Sequence, residues 1–297
     1  MREITCAICG TNKYAEVLYP ANFSESDFNE KIFSARRLPD KIHYRILKCT
    51  KCGLIFSNPI AEESKIADLY GKSKLTYRAE IKYLKKTYGF YLKSLENLVS
   101  GKQRLLEIGC GNGFFLEEAK RLDYKEVYGI EPGREMVNSA RGDIRQNIVV
   151  DIFRNGLFKE NFFDLVCIFQ TIDHVPQPLE LLKDVHRILK KRGLVFIISH
   201  DTASISAKIL GEKSPIFDLE HIYLFNKKNI GAVLTKAGFT VEKIFNIANT
   251  YPLKYWLFMM PLPQSFRNVI KRNKGGWGER ELTFSAGNFA VVARKIN

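Results

Sequence analysis

Short apolar runs alternate with helical patterns between residues 103 and 199. Five of these runs have the composition of buried strands: RLLEIG, VYGIE, IVVD, FDLVCIF and LVFIIS. Several are followed by apolar residues at helical spacing, as in PLELLKDVHRILKKRG, where Leu179, Leu182, Val185 and Leu189 share one face. Regular alternation of strand and helix predicts a parallel, doubly wound sheet of the α/β class.

Further elements are predicted outside this run. Apolar residues at helical spacing from Arg78 to Val99 predict a helix that precedes the sheet. In the helix after the fourth strand, the basic residues 190–192 would form the last turn and Gly193 would end it. Beyond residue 200 the pattern predicts a helix and two strands, at 227–237, 239–247 and 288–294.

These patterns divide the chain into three parts. Residues 1–60 would form a cysteine-bearing module, 61–100 a helical linker or cap, and 101–297 the α/β domain. Two irregular stretches of that domain, 201–226 and 248–283, would be insertions that contact or cover a substrate.

Composition limits the cellular setting. The chain has 297 residues, 45% of them hydrophobic, which is enough for a sizeable core. No apolar stretch approaches the ~20 residues needed to cross a bilayer, and the start MREITCAICG lacks the apolar core of a secretory signal. We therefore expect a cytoplasmic protein without a transmembrane segment, in which the cysteines are reduced.

The chain is basic, with a formal net charge of +14. Such an excess suits a polyanionic partner, which could be a nucleic acid, an anionic membrane surface or a phosphorylated substrate. A merely lysine-rich, soluble surface would give the same charge.

The segment LLEIGCGNGFF, residues 105–115, places a glycine loop directly after a predicted strand. A phosphate-binding P-loop would need Lys-Ser or Lys-Thr after the glycines. A dinucleotide loop would need a small residue where Phe114 stands. Glu107 would repel a pyrophosphate and would suit a cationic ligand. S-adenosylmethionine fits these demands, because it carries an ammonium and a sulfonium and has no phosphate.

Two further acids follow later strands. Glu131 closes VYGIE, where a carboxylate can accept both hydroxyls of a ribose, and Asp151 closes IVVD, near where an adenine amino group would lie. Carboxyl ends of successive parallel strands meet at the crevice where doubly wound sheets bind ligands. The alternative is that these acids cap the elements that follow them.

The segments LLEIGCGNG, VYGIEP and FDLVCIFQTIDHVPQPLELLKDVHRILKKRG resemble the successive motifs of class I S-adenosylmethionine-dependent methyltransferases. The resemblance covers about residues 103–199 and implies a Rossmann-like sheet. It departs from the family where Lys-Arg-Gly replaces Pro-Gly-Gly and where Asp-His replaces Glu-His. It implies that Glu107, Gly109, Gly111 and Gly113 bind the methionine part of the cofactor and that Glu131 binds the ribose. Asp151 would then bind the adenine, and Gln170 would line the site of methyl transfer.

Two C-x-x-C pairs near the N-terminus, CAICG and CTKCG, predict a structural Zn²⁺ site formed by Cys6, Cys9, Cys49 and Cys52. Similar modules precede the catalytic domain in some ribosomal RNA guanine methyltransferases, in sugar C-methyltransferases and in bacterial surface-glycan methyltransferases. The long gap between the pairs, residues 10–48, resembles the sugar type.

The segment FDLEHIYLF, residues 217–225, resembles the segment of the sugar C-methyltransferases whose histidine serves as the base. The resemblance makes His221 the candidate general base. Glu220 would raise the basicity of its imidazole, and Tyr223 would donate a hydrogen bond to a substrate oxygen. His174, just after the fourth strand, is a second candidate, although it could equally anchor a loop. His221 could also be a packed structural residue.

The remaining histidines receive no catalytic role: His43 belongs to the cysteine module, His186 to a charged helix face, and His200 to the end of the fifth strand. The aromatic and basic stretch 251–272 is expected to be a lid over the acceptor or a segment that contacts an anionic membrane.

Together these features predict methyl transfer to a small-molecule or glycan acceptor, such as a nucleotide-linked sugar or a lipid-linked saccharide. The alternative is an RNA base methyltransferase, whose zinc module and basic surface would bind backbone phosphates. Against it, residues after the fourth strand read QTIDH rather than Asn-Pro-Pro-Tyr. A non-enzymatic binding module would be expected to have a broken glycine loop, and this loop is intact.

Overall fold

The computed structural model describes residues 1–296 except 25, 26, 28, 30, 31, 34–40, 261, 264, 266, 267 and 269–275. Within the described residues, the strands are β1 Ala15–Tyr19, β2 Ile46–Cys49, β3 Ile55–Ser57, β4 Arg104–Ile108, β5 Glu126–Ile130, β6 Ile148–Val149, β7 Phe163–Phe169, β8 Leu189–His200, β9 Tyr223–Leu224, β10 Phe239–Pro252 and β11 Glu281–Lys295. The α-helices are α1 Glu63–Gly71, α2 Ile81–Ser94, α3 Phe114–Arg121, α4 Arg134–Asn138, α5 Gly142–Arg145, α6 Pro178–Ile188, α7 Ile205–Leu210, α8 Lys227–Lys236 and α9 Leu253–Met259. Short 3₁₀-helices lie at Ile172–His174, Gly211–Lys213 and Trp277–Glu279.

The larger sheet has the strand order β10-β11-β8-β7-β4-β5-β6. Strands β8, β7, β4, β5 and β6 pair in parallel, whereas β11 pairs antiparallel with both β8 and β10. Every residue of β7 is buried, because helices cover both faces of the sheet. The predicted doubly wound α/β sheet is confirmed.

Helix α6 ends earlier than the sequence pattern predicts. It stops at Ile188, and Leu189 already begins β8, opposite Phe163 in β7. The basic residues 190–192 therefore lie in a strand, where the ammonium of Lys190 is 2.8 Å from the carboxylate of Asp164. The prediction of a last helical turn there was wrong, because burial of Leu189 in the sheet outweighs local helical propensity.

The stretches predicted as irregular contain regular elements. Residues 201–226 include α7 and β9, and the second stretch, 248–283, includes the end of β10, all of α9 and the start of β11. Residues 261, 264, 266–267 and 269–275 of the second stretch lie outside the described part of the chain. Propensity alone missed β10 beyond 247, because pairing with β11 extends it to Pro252.

A smaller sheet joins the N-terminal module to a later segment. Its order is β1-β2-β3-β9, so that β9 from the first insertion pairs with β3 from the cysteine module. The predicted boundary at residue 60 therefore does not separate two independent sheets. Among the described residues, every helix is too short or too polar to span a lipid bilayer.

Candidate active site

A cavity of about 1000 Å³ opens at the carboxyl edge of β4, β5, β7 and β8. The residues that follow these strands line it, as expected for the ligand crevice of a doubly wound sheet. We call the region around Glu107, Gly109, Gly111 and Glu131 the glycine end, and the region around His174, His200 and His221 the histidine end.

The glycine loop requires glycine for two reasons. Gly109, Gly111 and Gly113 have φ values of 76°, 54° and 71°, a left-handed backbone that other residues avoid. A Cβ on Gly109 would lie 2.3 Å from Oγ1 of Thr171, and one on Gly113 would lie 2.6 Å from Cγ2 of Ile144. Gly109 and Gly111 line the cavity, whereas Gly113 is packed at the start of α3 and is not among the lining residues. A direct contact of Gly113 with a ligand is therefore not supported.

Glu131 connects the second strand end to the glycine loop. One carboxylate oxygen accepts a hydrogen bond from the amide of Gly111 and the other from that of Gly133, both at 2.9 Å. Burial raises the pKa of Glu131, and these two hydrogen bonds oppose the rise. The carboxylate thus fixes the loop and still has electron pairs left for a ligand's hydroxyl groups.

Glu107 is buried beside it without such compensation. Its side chain is 3% exposed, and Oε2 has no hydrogen-bond partner among the described residues. Burial, with a smaller contribution from the charge of Glu131, raises the pKa of Glu107 well above its usual range. The glycine end therefore contains a buried acidic group whose negative charge is not compensated, and a cationic ligand would compensate it.

Asp151 and Gln170 also line the cavity. The carboxylate of Asp151 accepts a hydrogen bond from the amide of Ile152 at 2.8 Å and pairs with Arg154 at 2.7 Å, so it also stabilises its own turn. Gln170 follows β7 with a φ of 49°, and its Oε1 is buried without a partner among the described residues.

The histidine end brings together three imidazoles from separate segments. His174 follows β7, His200 ends β8, and His221 lies in the insertion before β9. The ring centre of His221 is 4.9 Å from that of His174 and 5.1 Å from that of His200. Nδ1 of His174 is also hydrogen-bonded to the hydroxyl of Tyr70, at 2.7 Å.

Asp173 lies beside this histidine group and is 1% exposed. Its Oδ2 is 3.8 Å from Nε2 of His221 and 3.9 Å from Nε2 of His200. Burial raises the pKa of Asp173, and the proximity of His200 opposes that rise. Asp173 thus places a buried carboxylate close to the imidazole of His221. Glu220 is a second buried residue of the cavity lining, and its effect on His221 stays a prediction.

Tyr223 lies elsewhere. Its hydroxyl donates a hydrogen bond to the carbonyl of Thr5 at 2.6 Å, and the residue is buried in β9. It is not among the residues that line the cavity. The expectation that Tyr223 donates to a substrate oxygen was wrong, because its hydroxyl binds the N-terminal module instead.

The cysteine module has the geometry of a metal centre. The sulfur atoms of Cys6, Cys9, Cys49 and Cys52 all lie within 4.8 Å of one another. Sγ of Cys6 is 3.4 Å from that of Cys52, and Sγ of Cys49 is 3.7 Å from that of Cys9. Tetrahedral Zn²⁺ with bonds near 2.3 Å places sulfur atoms about 3.8 Å apart. The four thiols fit a structural zinc ion, which would hold the two knuckles together.

The module also holds the segment that carries His221. The hydroxyl of Ser57 donates to the carbonyl of His221 at 2.9 Å, and the amide of Ser57 donates to the carbonyl of Ile222 at 2.8 Å. With the bond from Tyr223 to Thr5, these contacts join β9 to the first 60 residues. Of the three histidines at this end, His221 is therefore the one whose segment is held by the first 60 residues.

Sequence reasoning assigned no role to Asp173 or His200, yet both belong to the histidine end. The signal was available, since His200 is the last residue of β8 and Asp173 lies shortly after β7, at the same edge of the sheet as Glu131 and Asp151. The stretch 251–272 is described in part. Its residues Tyr251, Tyr255 and Trp256 line the cavity. A role of this stretch as a lid stays a prediction.

A doubly wound sheet with β11 inserted antiparallel, a glycine loop and acids after successive strands defines the Rossmann-like class of methyltransferases. In agreement, a family model described as a methyltransferase domain matches residues 76–244, more than half of the chain. The protein belongs to this methyltransferase family.

Curated relatives resemble parts of the chain. The ubiquinone biosynthesis O-methyltransferase of Neisseria meningitidis is 29% identical over 101 residues, which are 32% of this chain and 42% of that protein. Its namesake from Pseudomonas aeruginosa is 27% identical over 187 residues, 59% of this chain and 80% of that protein. The chain thus spans less than half the length of the first relative.

A solved SAM-dependent methyltransferase from Archaeoglobus fulgidus shares the fold. It superposes with a TM-score of 0.51 at 22% identity, over 75% of this chain and 100% of that one.

Proposed function

We propose that this protein transfers a methyl group from S-adenosylmethionine to a small-molecule acceptor. The observation that carries the proposal is the pair of buried carboxylates, Glu107 and Glu131, at the glycine end of a cavity that continues to a group of histidines. When bound, S-adenosylmethionine supplies an electrophilic methyl group on a cationic sulfur.

At the glycine end, Glu107 would attract the ligand's positive charge, which relieves its own burial without a partner. Glu131 would accept hydrogen bonds from the ribose, and Asp151 would lie near the adenine. Gly109 and Gly111 would allow the ligand to approach the backbone, and Gln170 would line the path of the methyl group.

At the histidine end, His221 would accept the proton that the acceptor must lose before it attacks the methyl carbon. Its Nδ1 donates to the carbonyl of Ile216 at 2.8 Å, which leaves Nε2 as the proton acceptor of the neutral ring. The carboxylate of Asp173 would stabilise the imidazolium that forms. Such general-base catalysis contributes roughly 10²–10⁴ in rate.

The acceptor that we favour is a nucleotide-linked sugar or a lipid-linked saccharide. The aromatic residues Tyr251, Tyr255 and Trp256 pack against one another in the cavity lining, where a sugar or another ring could contact this cluster. Asn249 and Glu220 add polar side chains to the same lining. The net charge of +14 would favour phosphates on a carrier. The relatives' names leave room for other small acceptors, since they refer to ubiquinone biosynthesis.

Binding calorimetry tests the cofactor. We expect S-adenosylmethionine and its demethylated product to bind, and NAD and ATP to give no heat. Binding of NAD or ATP alone would overturn the proposal.

Transfer of labelled methyl groups from S-adenosylmethionine would then be measured on nucleotide sugars, lipid-linked saccharides, ring-hydroxylated small molecules and total RNA. Label in a saccharide supports the favoured acceptor. Label only in another small molecule supports the activity and rejects that acceptor, and label only in RNA favours the alternative.

The base is tested by His221→Ala, with His186→Ala as the matched control outside the cavity lining. We expect unchanged S-adenosylmethionine binding and a turnover reduced by about 100-fold or more for His221→Ala. Unchanged turnover would remove His221 from the mechanism.

A further inference from the structure

We infer that Asp173, His200 and His221 form a binding site for one divalent cation at the histidine end of the cavity. The site shares no residue with the cysteine centre. Only its role in activating an acceptor rests on the proposed function.

The three side chains already converge. One ligand atom from each lies within 4.8 Å of the other two, and Oδ2 of Asp173 lies 3.8 Å and 3.9 Å from the Nε2 atoms of His221 and His200. Two imidazoles and one carboxylate are a common donor set for divalent transition metals. His200 and His221 also line the cavity, so that a cation between them would face a bound acceptor.

Both rings are oriented for coordination through Nε2. Nδ1 of His221 lies 2.8 Å from the carbonyl oxygen of Ile216, and Nδ1 of His200 lies 3.0 Å from Oδ1 of Asn288. An oxygen acceptor at Nδ1 places the ring proton there and makes Nε2 an electron-pair donor in the neutral imidazole. Hydrogen bonds of this kind orient the histidine ligands of protein metal sites.

The carboxylate supplies an independent reason. Asp173 is 1% exposed, and neither of its side-chain oxygens meets the geometry of a hydrogen bond to a described donor. Burial raises the pKa of Asp173 more strongly than the nearby Ser199 hydroxyl lowers it. A buried acidic group without a donor is costly. In their neutral form, His200 and His221 direct the lone pairs of their Nε2 atoms toward the carboxylate of Asp173, which is unfavourable. A cation bound by all three groups would be attracted to each of these electron pairs.

The spacing indicates the kind of cation. Bonds of 2.0–2.2 Å to nitrogen and oxygen place tetrahedral ligand atoms about 3.3 Å apart. The two pairs between Asp173 and the histidines would each have to close by about half an ångström, and the two imidazole nitrogens lie within 4.8 Å of each other. Since two of the three donors are imidazoles, Zn²⁺ or Co²⁺ suits the site better than Mg²⁺, which prefers oxygen. The one remaining tetrahedral position would be open to a ligand from the cavity that His200 and His221 line.

A cation would change the role of His221 from proton acceptor to ligand. An acceptor oxygen bound to the cation would release its proton to solvent at a lower pH, because the positive charge stabilises the anion.

The test is the zinc content of the purified full-length chain, measured by mass spectrometry after equilibration with Zn²⁺ and removal of loosely bound metal. We expect two zinc ions per chain in the wild type and one in Asp173→Asn, His200→Asn and His221→Asn. The matched control His186→Asn should retain both. One zinc ion per chain in the wild type, or two in every variant, would overturn the inference.

A second measurement needs no variant. Co²⁺ would be titrated into wild-type protein whose cysteine centre is filled with zinc. We expect visible cobalt absorption that saturates at one equivalent of Co²⁺ and lacks a thiolate-to-cobalt band. Excess Mg²⁺ should not remove this absorption. No saturable signal, or one with a thiolate band, would contradict the site. Either failure leaves the calorimetric test of S-adenosylmethionine binding intact, so the two proposals can fail separately.

Discussion

The two ends of the cavity are built in different ways. At the glycine end, short local segments place each group: Gly109 and Gly111 adopt left-handed backbone, and Glu131 binds the amides of Gly111 and Gly133. At the histidine end, every imidazole comes from a different segment, and the one that carries His221 is held by residues of the first 60. Local construction makes the glycine end independent of the cysteine module, whereas the histidine end should depend on it.

The substitution with the largest expected effect is Cys6→Ala, which tests whether only the histidine end depends on the cysteine module. We expect the loss of one bound zinc ion and several kcal/mol of stability in the N-terminal module, because binding of structural zinc contributes roughly 10–16 kcal/mol in small zinc domains. Hydrogen exchange should become much faster at residues 216–225, while S-adenosylmethionine affinity stays within about threefold. Lys13→Ala, exposed in the same module, is the control. An equal loss of cofactor affinity would show that the two ends are not independent.

The reciprocal test is Glu131→Ala. The change removes the acceptor of two amide hydrogen bonds in the loop and the proposed partner of the ribose. We expect a loss of about 100-fold in S-adenosylmethionine affinity by calorimetry, since hydrogen bonds to a buried charge contribute about 1.5–3 kcal/mol each. Zinc content and exchange at 216–225 should not change. Exposed Glu135→Ala serves as the control, and full affinity in Glu131→Ala would contradict the proposed site.

A finer test uses pH and Glu107→Gln. Because the folded pKa of Glu107 is raised, the folded state binds this proton more tightly than the unfolded chain does. The resulting stability is present below the unfolded pKa of about 4.3 and is lost as the pH rises through the folded pKa. The variant should therefore show a flatter fall in unfolding free energy above about pH 4 and should be more stable than the wild type near about pH 7.

Chemical denaturation across this pH range, without ligand, measures the effect. The same variant should bind S-adenosylmethionine about tenfold more weakly, since it lacks the charge. A pH profile identical to that of the wild type would remove Glu107 as a buried acid.

The smallest effect is expected from Tyr223→Phe. The ring stays packed in β9, and only the hydrogen bond to the carbonyl of Thr5 is lost. We expect a stability loss of about 1 kcal/mol by thermal unfolding. Turnover and S-adenosylmethionine affinity should stay within about threefold. A large selective loss of turnover would restore Tyr223 as a substrate contact.

The same contrast explains what the sequence could predict. The glycine loop between β4 and α3, Glu131 and the cysteine pairs are each defined by residues close together in the chain. They could therefore be predicted from sequence patterns. The end of α6 was misplaced because Leu189 belongs to β8, where it pairs with Phe163 of β7. This pairing joins residues that are distant in sequence, so a local pattern does not reveal it. Tyr223 was assigned to the substrate because its partner Thr5 is 218 residues away. Asp173 and His200 received no role because the contacts that bring them to His221 are also distant in sequence, although Asp173 follows β7 and His200 ends β8.

Strand β9 has a consequence for any attempt to divide or recombine this chain. Since β9 completes the sheet that begins in the first 60 residues, a fragment starting at residue 61 would present an unpaired edge on which other chains can assemble. A grafted N-terminal module would meet a foreign partner strand in place of its own. Exchange of the N-terminal module between related enzymes should therefore succeed only when residues 1–60 and the segment around 215–225 are exchanged together.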